Sequence, residues 1–429
     1  MLSLQEVITD IEVSKKKRDA AGIMSNINKV IYKKMTEGHF EAVLMGIGDE
    51  KCLIPEECFP FYLYRGQNEE FIPCVPSLYR GNPTESDIFL NRMRLVEFKH
   101  LLDSYPIVDG FFKKNHFVVD VEGLAQHYGL KTSVLDLTRN LDIAIFFAVC
   151  KYNSNTDSYE YFNDNKPHTG IIYIFDPIFD NEPIPNHDAD IYNGNIRPIG
   201  LQPFRRSAAQ KGFSVHIKRG ESIKCYIYKF TFTCEESKRY YDMFEQGNRL
   251  WIKDELVDKA KTISNEMDFS FKTFNEAYLY FKPKGYSKKK LMKQLKDDGI
   301  TFSSKATKVR FSLEEKEDII TRWNRSSGKE FADSIVRKPS FEHEGVNKDG
   351  EIKGIKNRKD FRNLHMISLG YILIHIASPD KPMDSEWVNY MNTPAPKRKS
   401  KGHGEMIPAH FTDLFGKTYL TEDDWKIKI

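Results

Sequence analysis

Four short segments bring together side chains that can do chemistry. Tyr64-Arg65-Gly66-Gln67 sets a guanidinium beside a glycine. The planar fork of Arg65 donates several hydrogen bonds at once and suits a phosphate or a ribose, and Gly66 lets another backbone come close. Gln126-His127-Tyr128 offers an imidazole that can donate to a hydroxyl or move a proton, and a ring that can stack on a planar base. Asp136 and Thr138 flank Leu137 in a stretch with strand character, so their side chains share one face while Leu135 and Leu137 point to the core. A carboxylate beside a hydroxyl can polarise a sugar hydroxyl or position an acceptor. Gln210, inside Phe204–His216, adds an amide that binds a hydroxyl but gives a developing cation less help than a carboxylate would; Arg205 and Arg206 next to it can hold phosphates or stay solvated. Each of the others also has a plainer role: a salt bridge for Arg65, a packed interior for His127 and Tyr128, and a helix cap for Asp136 and Thr138.

The elements that must position these groups follow from local patterns. Phe61–Gln67 reads as a strand ending in a glycine turn. Thr84-Glu85-Ser86-Asp87 has the form of a capping box and opens a helix through about Ser104. A second helix covers about Val121–Tyr128, with Gly129 as its left-handed stop. Thr132–Leu137 reads as a short strand, and Asn140–Lys151 as a buried helix carrying Ile143, Ala144, Phe146, Phe147 and Val149. Further strands are expected at Gly170–Phe175, Phe213–Ile217 and Cys225–Phe232, with a polar, exposed loop over Asn153–His168. Residues 1–45 read as mostly helical, with Lys15-Lys16-Lys17-Arg18 as a solvated face or turn. Beyond about Arg239 helices are expected at Tyr240–Ile263, Tyr286–Lys296 and Ser312–Trp323. Residues 340–360 read as a linker, and Pro394–Lys401 as a mobile basic tail.

The 429 residues allow two or three domains, here divided as 1–50, 51–238 and 239–429. With 40% hydrophobic and 29% charged residues the chain can bury a core, and its net charge of +3 leaves any nucleic-acid affinity to local patches. The six cysteines, Cys52, Cys58, Cys74, Cys150, Cys225 and Cys234, include no closely spaced pair, which argues against structural zinc and a disulfide framework. No Asp, Glu and His cluster has metal-ligand spacing either, so no metal is expected. Met1–Asp10 lacks the basic and apolar regions of a signal peptide, and Met366–Ala377 is too short to span a bilayer. The expected setting is a reducing cytoplasm with no membrane contact.

Tyr64–Gln67, Val75-Pro76-Ser77-Leu78-Tyr79-Arg80-Gly81, Gly123–Val149 and Phe204–His216 together resemble the FRG-domain family in order and type, over roughly residues 55–235. The chain departs in having Leu137 where that family usually has Trp and Ser133 where it often has Arg. More loosely, the same order is similar to the ADP-ribosyltransferase fold. That resemblance implies an α+β protein: an ADP-ribosyltransferase-like mixed β core with helices, a mainly helical N-terminal segment and a C-terminal α+β region. It implies NAD as substrate, held by Arg65, Gly66, Gln67, Gln126, Tyr128, Thr132 and Thr138, with Arg65, His127, Asp136 and Gln210 as the catalytic set. Breaking the nicotinamide–ribose bond develops an oxocarbenium-like cation, so the site must hold the diphosphate, orient the ribose and stabilise charge.

A second feature suggests an acceptor. Between Lys282 and Arg310 the chain has ten Lys or Arg against two Asp. Lys284, Lys288, Lys289, Lys290 and Lys293 cluster near Phe281 and Tyr286, a combination that can neutralise phosphates and offer stacking faces, or simply form a solvated helix face. RNA is the first acceptor to expect. The resemblance also implies a role as a bacterial toxin or phage-defence effector, with an antitoxin or inhibitor protein as partner. Hydrolysis of NAD, and a nucleotide- or nucleic-acid-binding module without turnover, remain as alternatives.

Overall fold

A computed structural model describes residues 1–18, 40–44, 51–55, 62–71, 73–175, 196–221, 225–304, 309–337, 420 and 422–428. The strands in chain order are β1 (Leu2–Ser3), β2 (Phe40–Leu44), β3 (Lys51–Pro55), β4 (Leu63–Gln67), β5 (Val134–Thr138), β6 (Cys150–Asn153), β7 (Ser158–Tyr161), β8 (His168–Phe175), β9 (Ile196–Pro198), β10 (Gly212–His216), β11 (Tyr226–Phe232), β12 (Asp268–Phe269), β13 (Thr301–Phe302) and β14 (Ile335–Arg337). The α-helices are α1 (Leu4–Arg18), α2 (Glu85–Asp103), α3 (Val121–His127), α4 (Leu141–Val149), α5 (Arg206–Ala209), α6 (Cys234–Met243), α7 (Val257–Ser264), α8 (Phe271–Phe281), α9 (Lys288–Asp297), α10 (Leu313–Arg322), α11 (Gly328–Asp333) and α12 (Glu422–Trp425). The mixture of helix and strand agrees with the α+β expectation.

A seven-stranded sheet of order β1-β11-β8-β4-β5-β10-β9 organises the described residues. Its neighbours run antiparallel except β1, which lies parallel to β11. Alternation along the strands divides its side chains into two faces. Leu63, Leu135, Leu137, Ile171, Tyr173, Phe175, Phe213, Val215 and Ile217 form one apolar cluster. Tyr64, Ile172, Ile174 and Phe230 face the other way, packing with α4 (Ile143–Val149) and with Leu4, Val7 and Ile11. The first turn of chain is therefore an edge strand and a covering helix of this sheet. Beside it, α2, α3 and the aromatic turn Val108–Phe112 pack with Phe204, Phe311, Trp323 and Trp425 in a second core.

Local signals located most elements. Thr84 caps α2 with Asp87 as reciprocal partner, and Ser312 does the same for α10 with Glu315. Gly129 takes the left-handed conformation, φ +80°, just past α3. Three expectations need correcting. The segment Asn153–His168 is largely a hairpin of β6 and β7, because Tyr159 is drawn under Phe146, Phe147 and Trp251. The helix expected over Tyr240–Ile263 breaks after Met243, where Glu245, Gln246 and Gly247 all adopt positive φ. Phe40–Leu44, near the end of the segment read as helical, is a strand paired with β3 and β14. The expectations for Ile23, Ile27, Val30 and Ile31, for residues 340–360, for Met366–Ala377 and for Pro394–Lys401 lie outside the described residues. No helix among the described residues is long and apolar enough to cross a membrane.

Candidate functional site

Strands β4 and β5 share a single bridge, Tyr64 with Thr138, and then part. Gly66 lies at this opening because α4 rests directly on its backbone. A Cβ there would stand 1.7 Å from the Ala144 carbonyl oxygen, so no other residue fits. Arg65 occupies the gap: its Nη1 donates to the Asp136 carbonyl at 2.9 Å, a group the parted strand no longer pairs. Arg65 pairs with Tyr173, and so points to the face of Leu63 and Leu135.

That face holds a second guanidinium. Arg80, from the second Tyr-Arg-Gly, donates through Nε to the Val75 carbonyl at 3.2 Å and lies over the Phe71 ring at 4.9 Å. Burial, then the positive charge of Arg65, push its pKa below the usual arginine value. Among the described residues neither Arg65 nor Arg80 forms a salt bridge, so the charge they bring together meets no carboxylate at hydrogen-bonding distance. Gln67, buried beside them, accepts from Arg65 Nη2 at 3.2 Å and donates to Tyr173 Oη at 3.2 Å in the amide orientation that satisfies both. Burial raises the pKa of Cys74, against the pull of Arg65 and Arg80. It is thus a neutral thiol, not a nucleophile.

Asp136, Thr138, His127 and Gln210 lie on the opposite face. The expected catalytic set of Arg65, His127, Asp136 and Gln210 is thereby divided: the pairing of β4 with β8 and of β5 with β10 puts Arg65 on one face and Asp136 on the other. Asp136 is half-buried, and its Oδ1 is enclosed without a hydrogen-bond partner. His127 is 3% exposed and its Nε2 is likewise unpartnered, pressed against Gly212, where a Cβ would come within 3.0 Å of it. Burial lowers the pKa of His127, only partly opposed by Asp136, so the ring is neutral near pH 7. Ser207 Oγ is a third enclosed atom without a partner.

Several expected ligand groups are engaged in holding the fold. Thr138 Oγ1 donates to the Gln210 carbonyl at 2.8 Å and accepts from Asn140 N at 3.1 Å, leading into α4, where Asn140 is the cap. The Gln210 amide donates to the Leu250 carbonyl at 3.0 Å. Gln126 Oε1 accepts from Thr132 Oγ1 at 2.5 Å and from Ser77 Oγ at 3.4 Å, tying α3 to the Ser77–Tyr79 turn. Tyr128 donates to Asp254 and packs under the Arg206 guanidinium, which lies 4.5 Å from its ring. Arg206 is buried between Tyr128 and Trp251, whereas Arg205 is exposed near Glu330. Ser133, the departure from the usual Arg, donates through N and Oγ to Glu122, which also accepts from Arg92 at 2.9 Å. Lys284, Lys288, Lys289, Lys290 and Lys293 are exposed on α9 and the turn before it. No group of three His, Cys, Asp or Glu among the described residues is arranged to hold a metal.

Residues 61–157 match the FRG domain. The matched stretch includes Arg65, Gly66, Arg80, His127 and Asp136, and ends before Arg206, which donates to the His127 carbonyl, and Gln210, whose carbonyl accepts from Thr138 of β5. Nothing among the curated proteins or the solved structures matches this chain. Arg80 is the residue that sequence reasoning passed over as a site. The repeat of Tyr-Arg-Gly at Tyr64–Gly66 and Tyr79–Gly81 was the available signal.

Proposed function

We propose that this protein is an NAD-dependent ADP-ribosyltransferase whose FRG domain holds the dinucleotide at the opening between β4 and β5. The observation that carries this reading is the pair of half-buried guanidiniums, Arg65 and Arg80, with no salt-bridged carboxylate among the described residues. Two adjacent guanidinium forks suit a diphosphate, which spreads two negative charges over several acceptor oxygens. Asp136 borders the opening from the opposite face of the sheet. A ribose lodged between the parted strands would bring C1′ to its carboxylate, which would stabilise the cation that develops there as the bond to nicotinamide N1 breaks and nicotinamide leaves with the bonding electron pair. An acceptor hydroxyl then adds to C1′, and its proton passes to Asp136 or to water. Water in place of the acceptor would give hydrolysis at the same site.

A second reading, dinucleotide binding without turnover, is favoured by Gln210. Its amide is bonded to Leu250, and no carboxylate stands at that position. One experiment separates the two. The full chain is incubated with NAD labelled in its adenylate half, together with RNA, DNA or protein acceptors, while released nicotinamide and polymer-bound label are followed. The transferase reading expects both signals, and expects Arg80→Ala to lose them. Bound NAD by calorimetry with no nicotinamide from any mixture supports the binding module and overturns the transferase. Nicotinamide without labelled polymer indicates hydrolysis.

A further inference from the structure

We propose that α9, with the end of α8 beside it, is a surface for single-stranded nucleic acid, separate from the dinucleotide site and testable without NAD. Helix α9 is divided by its packing. Leu291 and Leu295 are buried against Phe89, Met93 and Val96 of α2, while Lys288, Lys289, Lys290, Lys293 and Lys296 are all exposed. Lys282 and Lys284 extend the same positive stretch into the preceding turn. Among the described residues none of these seven lysines forms a salt bridge; Lys288 instead donates to the Asn275 side-chain oxygen at 3.0 Å. Other surface lysines show the contrast: Lys99, Lys113, Lys238 and Lys329 each pair with a carboxylate four residues away.

The lysines do not serve the helix itself. Three of them open α9, and its first turn carries no acidic residue. Positive charge at a helix N-terminus opposes the helix dipole. Their placement suits a polyanion that approaches from outside.

Aromatic and apolar groups interleave with the charge. Lys290 lies over the Tyr286 ring at 4.5 Å and Lys288 over Tyr278 at 5.4 Å. Leu279 and Tyr280 are 76% and 66% exposed at the end of α8. Leu279 is one helical turn from Asn275, and so borders Lys288. Unpaired bases can lie on such groups, whereas a duplex keeps its base faces inside the stack. An anionic membrane fits less well, because the apolar face of α9 is already buried on α2 and cannot enter a bilayer.

The test measures fluorescence anisotropy of the full chain with a short mixed-sequence single-stranded RNA, with the matching duplex, and with phosphatidylserine vesicles, over a salt series. The triple variant Lys288→Glu/Lys289→Glu/Lys293→Glu should bind the single strand at least about tenfold more weakly. Its salt slope should fall by roughly 0.7 for each phosphate that the variant no longer neutralises. Leu279→Ser/Tyr280→Ser should weaken single-strand binding while leaving the salt slope unchanged. Circular dichroism confirms that the variants fold; all the substituted side chains are exposed. Equal affinity of wild type and triple variant overturns the proposal, as does tighter binding to vesicles or duplex than to the single strand. Retained nicotinamide release in the triple variant would keep this surface distinct from the dinucleotide site.

Discussion

The guanidinium of Arg65 donates to the backbone carbonyl of Asp136 at 2.9 Å, across the point where β4 and β5 separate. The sheet is thus continuous on one side of Tyr64 and held by a side chain on the other. A lysine would keep the charge but lose the planar fork that reaches both Asp136 and Gln67. Arg65→Lys should therefore lower nicotinamide release by about a hundredfold, the effect of letting the diphosphate, and with it the ribose, sit out of place. Its stability should drop by only about 1–3 kcal/mol, the value of a hydrogen bond to a charged group. Steady-state rates with a thermal melt check both; full activity in Arg65→Lys would remove Arg65 from the site.

Gly66 is set by α4, not by turn geometry. An added methyl would meet the Ala144 carbonyl oxygen at 1.7 Å and the Ala148 nitrogen at 2.9 Å. Both are backbone atoms that cannot rotate away, so Gly66→Ala should destabilise the protein by at least about 3 kcal/mol, the upper end for overpacking. Gly81→Ala meets nothing within 4 Å and should lose only about 1 kcal/mol for its φ of +72°. Urea unfolding of the two variants decides the matter. Similar losses at both positions would mean that α4 does not bear on β4.

What the sequence revealed was local in origin. The capping box at Thr84 uses side chains three residues apart, so its partners are near neighbours in the chain. The shared face of Asp136 and Thr138 is likewise a property of one strand. Which face that is relative to Arg65 depends on the register of β4 with β8 and of β5 with β10, between segments tens of residues apart. Gln210 looked like a ligand group by its place in Phe204–His216, ahead of the strand at Phe213. Only the fold brings Leu250 to its amide. The break after Met243 follows from Phe244 packing on Phe146, again a distant contact.

His127 makes the fold sensitive to mild acid. Burial holds its pKa below the ordinary value, with Arg206 nearby acting in the same direction and Asp136, Gln210 and Asp120 opposing. The unfolded chain takes up this proton near pH 6.5, the folded chain only at lower pH. Stability must then fall as pH drops from about 6.5 towards the folded value, because the unfolded state binds more protons in that window. His127→Gln should flatten this part of the profile relative to wild type while leaving the acid limb below about pH 4.5 intact. Denaturant midpoints between pH 5 and 7.5 test it; parallel profiles for the two proteins would contradict it.

Arg206 links the stretch that matches the FRG domain to the segment that follows β11. Its Nη1 donates to the His127 carbonyl at 3.0 Å, and its Nε and Nη2 donate to the Ile252 carbonyl at 3.1 and 2.8 Å. The guanidinium lies between Tyr128 and Trp251, 4.1 Å from the tryptophan ring. Removing it would leave two carbonyls without this donor and a slot between two rings. Arg206→Leu should lose about 3–5 kcal/mol, as expected when a buried charged group that satisfies several partners is deleted. Arg206→Lys should recover little, since one ammonium cannot span both carbonyls and stack flat on Trp251. Both variants should shift Trp251 emission and reduce nicotinamide release, because His127 is held through its carbonyl by this residue. If Arg206→Lys melts with wild type and its emission is unchanged, the guanidinium is not what fastens the two segments together.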